Sequence, residues 1–323
     1  MDITSQRIGV VGNSTKPGAA MRVAELLELL HTKSNAKPLV LSELALILNS
    51  PIGYDLVESQ LDVATESDVI FSFGGDGTML TAARAIITAN PNAELIGINL
   101  GKLGFIAENP PEEIPAILDD LWNGNLRLEE RLLIGARVSS EKDSASGTEI
   151  RRDDLRPSSV GEKADLVELI ALNEIVVDNF GSTRMLTFEI IVEGSSLGTI
   201  RADGLIVASP TGSTGYAASA GGPIVEPTSR VIIITPIAPH SLTVRPVIIP
   251  EGYEISLRIT NEAETPTLIV ADGQQEIIVT SPALVRLSGH SKKLKLLRRK
   301  TNSYFDLLRT KLLWSADARE GRR

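Results

Sequence analysis

Near Leu126 the hydrophobic pattern of this 323-residue chain changes its period, and that change limits what the chain can fold into. Before it, short apolar runs alternate with helical spacing. "RIGVVG" (Arg7–Gly12) reads as a buried strand and "GAAMRVAELLELL" (Gly18–Leu30) as an amphipathic helix. "DVIFSF" (Asp68–Phe73) and "ELIGINL" (Glu94–Leu100) repeat the strand signal. They are followed by the helical "TMLTAARAIITA" and by "PPEEIPAILDDLWNG", with Pro at its start and Gly after its end. Such alternation calls for a parallel sheet covered on both faces, a Rossmann-like α/β domain, which binds ligands beyond the carboxyl ends of its strands. After Leu126 the chain is mostly short β-branched runs: "ALNEIVVD", "LTFEIIVEG", "GLIVASP", "RVIIITPI", "VRPVIIP", "YEISLRI", "TLIVADG" and "QEIIVT". Their close spacing predicts an antiparallel sandwich or barrel. The expected division is an α/β domain over residues 1–128, an all-β domain over 129–295 and a C-terminal segment over 296–323.

Composition removes several chemistries. With no cysteine there are no disulfides, thiol nucleophiles or thiolate metal sites. The three histidines, His31, His240 and His290, are far apart, so a Ser-His-Asp triad or a His-rich metal centre is a poor expectation. A carboxylate is the simplest general base, and no metal is assigned to protein ligands. The net charge of −9 argues against nucleic acid as a partner. No apolar run approaches the roughly 20 residues of a membrane helix, and the N-terminus has no export pattern, so the expected location is the cytoplasm. Residues 139–163 are polar and read as a long loop. "KKLKLLRRK" reads as a solvated strand edge. It leads into "SYFDLLRTKLLW" (Ser303–Trp314), an amphipathic helix with Ser303 and Asp306 at capping-box spacing.

Two stretches carry chemistry. In "FSFGGDGTML" (Phe71–Leu80) an apolar strand runs into Gly74, Gly75 and Gly77, where glycine supplies positive φ or close backbone approach. Backbone N–H groups at the start of the following helix make an anion site. The stretch is neither a P-loop nor G-x-G-x-x-G. Asp76 beside a phosphate is suited to accept the proton of an attacking hydroxyl, or to help hold a metal. An Asp that caps the helix fits this stretch equally well.

The second stretch is "RADGLIVASPTGSTGYAASAGGPIVEP" (Arg201–Pro227), with hydroxyls at Thr211, Ser213, Thr214 and Ser219 and one large side chain, Tyr216. Small residues let a flat polar ligand lie against the backbone while the ring packs on it. Tight helix-on-sheet packing explains the glycines but not the density of hydroxyls. Arg201 and Asp203, two apart in a strand-like run, share a face. Asn173 and Glu174 point to opposite faces of a regular strand and serve one site only at a strand end or bulge.

Taken in order, "GGDGT", "GKLGF", "LNE", "ADG…SPTGSTGYAASAGGP", "TPIAPHSLTVRPVIIP", "DGQ" and "SYFDLLRTKLLW" resemble the NAD kinase family over nearly the whole chain. The resemblance implies an N-terminal α/β domain, a C-terminal β-sandwich and a C-terminal helix returning to the N-terminal domain. It also implies phosphoryl transfer from ATP, or in some members polyphosphate, to the 2′-hydroxyl of the adenosine ribose of NAD, with Mg²⁺ and as a homodimer or homotetramer. Asp76 would then be the proton acceptor, with Gly77 against NAD and Gly74, Gly75, Gly77 and Thr78 around the phosphates. Asn173 and Glu174 would bind the nicotinamide-side ribose, and Asp203 the nicotinamide amide or a neighbouring polar group. Thr214, Gly215, Tyr216, Ala217, Ala218 and Ser219 would line the adenosine pocket, with Arg184, Arg201 and Gln274 as further contacts. Thr81 stands where many members carry Arg or His, with Arg84 and Lys102 nearby. Gly215 stands where Ala is common. A lipid kinase sharing the Gly-Gly-Asp-Gly signal, or a non-catalytic NAD(P)-binding protein, is the alternative.

Overall fold

The computed structural model describes residues 6–34, 37–48, 53–140, 167–180, 184–260 and 266–312. The polar segment 139–163 and the last residues of the C-terminal helix expected to reach Trp314 fall largely outside them. The chain forms two compact units, one of residues 1–131 with 292–323 and one of residues 132–291.

In the first unit β1 (Ile8–Gly12), β2 (Leu39–Leu41), β3 (Asp55–Val57), β4 (Val69–Gly74) and β5 (Glu94–Asn99) alternate with α1 (Ala19–Ser34), α2 (Ser42–Ala45), α3 (Gln60–Glu66), α4 (Asp76–Ala89) and α5 (Ile114–Trp122). All the pairs are parallel, in the order β5-β4-β1-β2-β3. The chain leaves β1 toward β2 and β3, then returns to the other side of β1 for β4 and β5. The β1/β4 boundary is therefore the switch point at which ligands of such sheets gather. There the backbone is tight: the Asn13 N–H donates to the Phe73 carbonyl at 2.9 Å. Phe71, Phe73, Ile96 and Ile98 from the sheet pack with Val23, Leu26, Leu30, Ile117 and Leu118 of α1 and α5. The periodicity of these segments foretold the long elements. The three-residue strands β2 and β3 and the short helices were missed, although Ser59 and Asp62 form a capping box that marks the start of α3.

Long β6 (Leu126–Ser140) leads out of the first unit. In the second, β7 (Val167–Ala171), β8 (Glu174–Asn179), β9 (Leu186–Val192), β10 (Ser195–Ala202), β11 (Gly204–Ala208), β12 (Val231–Ile237), β13 (Val247–Pro250), β14 (Ile255–Ile259), β15 (Pro266–Ala271) and β16 (Gln275–Thr280) pair antiparallel. One sheet runs β13-β12-β11-β8-β15-β16. Its inward side chains, Ile175, Val177, Leu205, Val207, Ile232 and Ile269, pack with Phe188, Leu257 and Val285 of the other strands in one core. The result is a sandwich. The short α6 (Tyr216–Ser219) covers the other face of that sheet, where Ala217 meets Ile206, Ala208 and Ile233.

Strand β17 (Ala283–Arg299) brings the chain back, and its Lys295 and Leu296 pair parallel with β5. "KKLKLLRRK" is therefore no solvated edge, because Leu294, Leu296, Leu297 and Arg298 are buried. Alternating lysines with leucines looked exposed because only one face of the strand was weighed. Helix α7 (Tyr304–Leu312) follows, with the Asp306 N–H donating to Ser303 Oγ at 3.4 Å. Phe188 is fully buried in the sandwich core, so Phe188→Ala is expected to cost about 3–5 kcal/mol. Urea unfolding measures this, and a loss under about 1 kcal/mol would contradict the packing.

Candidate functional site

Each unit places its candidate residues at strand ends. In the first, β4 ends at Gly74 and α4 begins at Asp76, with Gly75 as N-cap and no side chain capping the helix. Asp76 therefore does not cap its own helix. Its carboxylate reaches the stretch after β5 and accepts from three consecutive N–H groups: Phe105 to Oδ2 at 2.8 Å, Ile106 to Oδ1 at 3.0 Å and Ala107 to Oδ1 at 2.9 Å. A carboxylate offers about four lone-pair sites. Both on Oδ1 are engaged and one on Oδ2 stays open among the described residues. Gly104 is glycine for the same reason, since a methyl there would lie 2.7 Å from Asp76 Cγ.

The glycines serve differently from the expectation. None of Gly74, Gly75 and Gly77 has positive φ. A side chain at Gly74 would strike Thr78, 2.6 Å from its Cβ, while Gly75 and Gly77 face open space where a ligand can approach the backbone. Thr81 is exposed and its hydroxyl donates to the Gly77 carbonyl. Of the two cations near it in sequence, Lys102 lies exposed in the stretch that meets Asp76. Arg84 is two helical turns further on, about 12 Å along the axis. A cavity of about 440 Å³ opens on the same edge, between the start of α1 (Gly18, Met21) and the stretch Asn99–Leu103.

In the second unit Glu174 opens β8 and Asn173 precedes it, so the pair does sit at a strand end. The turn from Ser209 to Gly215 packs directly on it. Ser209 N–H donates to the Asn173 carbonyl at 2.8 Å, and a methyl at Gly212 would lie 2.5 Å from the Asn173 carbonyl carbon. Most of the hydroxyls in this run hold the turn itself. Ser209 Oγ donates to the Leu172 carbonyl at 2.5 Å, Ser213 Oγ bridges both backbone groups of Val225, and Thr214 Oγ1 donates to the Thr211 carbonyl. Their density is thus largely architectural. Tyr216 and Ser219 are exposed, Ala217 is buried, and Gly215 leaves 3.1 Å between a would-be methyl and Glu174 Oε2.

Sequence reasoning quoted Asp272 within "DGQ" but gave it no role. It and Gly273 both have positive φ (53° and 65°), and Gln274 N–H donates back to the Ala271 carbonyl, a tight turn between β15 and β16. An Asp-Gly pair between two β runs was the available signal. The Asp272 carboxylate accepts from the N–H groups of Leu172 (2.7 Å), Asn173 (2.7 Å) and Glu174 (3.2 Å). Gln274 follows in the same turn. Burial first, and then the Asp272 charge, push the Glu174 carboxyl up to about 7. Asn173 Oδ1 and Glu174 Oε2 are buried acceptors with no donor among the described residues.

Arg184, Arg201 and Asp203 lie elsewhere. Gly204 pairs with Asp178 and Ala208 with Glu174, so Asp203 is at the opposite end of β11 from the Asn173–Glu174 cluster, about 17 Å away. Arg184 is at that same far end, its carbonyl accepting from Asn179 Nδ2. Arg201 and Asp203 are held through backbone bonds to His240 and Ile237. Burial raises Asp178, and the Asp203 charge beside it adds to the shift.

The folded value of Glu174, about 7, exceeds the ordinary 4.5, so the folded protein holds this proton more tightly than the unfolded chain. Stability then falls as pH rises from about 4.5 to about 7, by on the order of 3 kcal/mol at most. The melting-temperature advantage of Glu174→Gln over the parent is accordingly expected to grow between pH 5 and pH 8. Calorimetry that finds the same difference at both pH values would remove the argument.

Two family models match the chain: the ATP-NAD kinase N-terminal domain over residues 8–126 and the ATP-NAD kinase C-terminal domain over residues 172–299. An NAD kinase of Bacteroides fragilis is 33% identical over 316 residues, covering 97% of this chain and 99% of that protein. An NAD kinase of Moorella thermoacetica is 35% identical over 307 residues, covering 95% and 89%. Among solved structures, an NAD kinase from Archaeoglobus fulgidus in complex with ATP superposes with a TM-score of 0.67 at 25% identity, over 95% of this chain and 98% of that one. Yeast NADH kinase complexed with NADH shares the fold, with a TM-score of 0.80 at 20% identity over 97% and 89%.

Proposed function

Because the chain belongs to the NAD kinase family, we propose that it transfers a phosphoryl group from ATP to the 2′-hydroxyl of the adenosine ribose of NAD, Asp76 receiving the hydroxyl proton. The observation that carries this is the carboxylate itself. Three N–H groups fix Asp76 in one orientation and leave a single acceptor position, on Oδ2. A hydroxyl donating there is oriented for in-line attack and loses its proton to the same oxygen. Positioning and charge placement are most of what phosphoryl transfer asks of a protein. The open faces of Gly75 and Gly77 leave the helix N-terminus available to phosphate, with Gly74 and Thr78 packed behind.

Asn173 and Glu174 supply the acceptors for NAD. Buried acceptors without donors cost about 1–3 kcal/mol each, and ribose hydroxyls would satisfy both Asn173 Oδ1 and Glu174 Oε2. Thr214 through Ser219 would form the adenosine wall, with the exposed Tyr216 ring available for stacking. Gln274 would contact the ligand from the Asp272 turn. Arg184, Arg201 and Asp203, lying at the far end of β11 from this cluster, would serve the site of a second copy in a homodimer or homotetramer.

No group of three or more His, Cys, Asp or Glu side chains suited to a metal occurs among the described residues. Mg²⁺ is assigned to the substrate, as the ATP complex, where phosphate oxygens are its main ligands. No described helix is long and apolar enough to cross a membrane, and the cytoplasm is the proposed location. The matches lend no support to a lipid kinase or to a protein without turnover.

A coupled assay with NAD, ATP and Mg²⁺ tests the activity. Asp76→Asn is expected to lower kcat by more than about 10²-fold while NAD affinity stays within a few-fold. Parallel loss of affinity and turnover would make Asp76 a purely structural residue. Excess EDTA is expected to stop ATP-dependent turnover, and undiminished activity would sink the assignment of Mg²⁺ to the donor.

A further inference from the structure

The N–H groups that hold Asp76 belong to a stretch with unusual support. Its far end is tied to β5, where Asn109 Nδ2 donates to the Gly97 carbonyl at 2.8 Å and the Asn109 carbonyl accepts from Asn99. The remaining support comes from residues almost two hundred positions later. Arg298 on β17 forms an ion pair with Glu108, its Nε donating to Oε1 at 2.5 Å and its Nη2 in contact with Oε2. The same guanidinium reaches Glu129, which also pairs with the fully buried Arg131 at 2.6 Å. Asn302 Nδ2 lies 3.1 Å from both Glu108 Oε1 and Asn109 Oδ1. Lys311 on α7 sits over the Phe105 ring at 4.4 Å from its centroid.

We infer that Arg298, Asn302 and Lys311 are positioning residues for phosphoryl transfer. By bracing Phe105, Glu108 and Asn109, they fix where the three amides point and hence where the Asp76 carboxylate stands. A buried ion pair contributes little net stability compared with apolar packing but constrains geometry. Here that geometry is the loop on which Asp76 rests. The Arg298–Glu108 ion pair ties the stretch to β17, Asn302 locks its neighbour, and Lys311 holds the ring next to the first donating amide. Burial lowers Arg298 to about 10, which leaves it charged at neutral pH and the ion pair intact. The inference rests on Asp76 being the proton acceptor, so its test needs one readout that does not depend on turnover.

Removing Arg298 would leave Glu108 and Glu129 buried without their shared cation, and such a variant is at risk of not folding. Asn302→Ala keeps every ion pair, and Lys311→Ala changes only a partly exposed helix position. Hydrogen exchange at the Phe105–Ala107 amides of the full chain is expected to speed up about tenfold in Asn302→Ala and by about two- to threefold in Lys311→Ala. Alongside it, kcat for Asn302→Ala should fall about tenfold, with KM for NAD and for ATP within threefold of the parent. In an Asp76→Asn background, the same substitution should change residual kcat by less than twofold, because the group it positions has gone. Unchanged exchange at these amides overturns the inference, as does faster exchange with unaltered kcat, or a full tenfold effect that persists without Asp76. If Asn302→Ala does not fold, Lys311→Ala carries the same comparison. A parent chain without NAD-dependent turnover would sink the kinase reading, and the exchange result would then decide the bracing by itself.

Discussion

A carboxylate that accepts from three successive backbone N–H groups is the interaction on which the rest of this structure turns, and both units have it. Asp76 holds Phe105, Ile106 and Ala107, and Asp272 holds Leu172, Asn173 and Glu174. Both acids stand in an Asp-Gly pair at the end of a strand. Three charge-assisted donors converging on one carboxylate fix the backbone of each stretch, beside its buried Ile106 and Ala107 or Leu172. The two acids differ in what remains for chemistry. Asp76 keeps a lone pair open at its second oxygen among the described residues, whereas beside Asp272 it is Oε2 of the neighbouring Glu174 that has no donor among them.

Many of the lysines and arginines are engaged in ion pairs among the described residues. The tight approach of these acids and carbonyls to the backbone accounts for some of the glycines. Gly104 and Gly212 are small because an acid or a carbonyl lies against them, and Gly75 and Gly77 are small because the space beside them is kept clear. A single residue type does two opposite jobs.

Much of the fold was legible in the sequence, for identifiable reasons. Elements with a full repeat of buried positions, such as α1, α4 and β12, announce themselves by periodicity. The three-residue strands β2 and β3 carry too few residues for any period to show. Strand β10 was missed because its residues alternate only weakly and it contains a glycine bulge. At the site, residue type and order pointed to Asp76, Asn173 and Glu174. They could not tell which hydroxyls of the 209–219 run would be taken up by the turn, because that depends on which carbonyls lie within reach. Nor could they reveal that Asp203 sits a strand's length from Glu174, since spacing along a chain says nothing of direction until the partner strands are known.

The first unit takes residues from both ends of the described chain, with the whole sandwich inserted between them. A ribosome translating this message would therefore extrude five strands and five helices long before their last neighbour, β17, exists. Through all of that interval Glu108 and Glu129 have acidic side chains destined for burial and no Arg298 to neutralise them. The early half must remain provisional while the sandwich assembles on its own, and it becomes final only when the returning strand clears the exit tunnel.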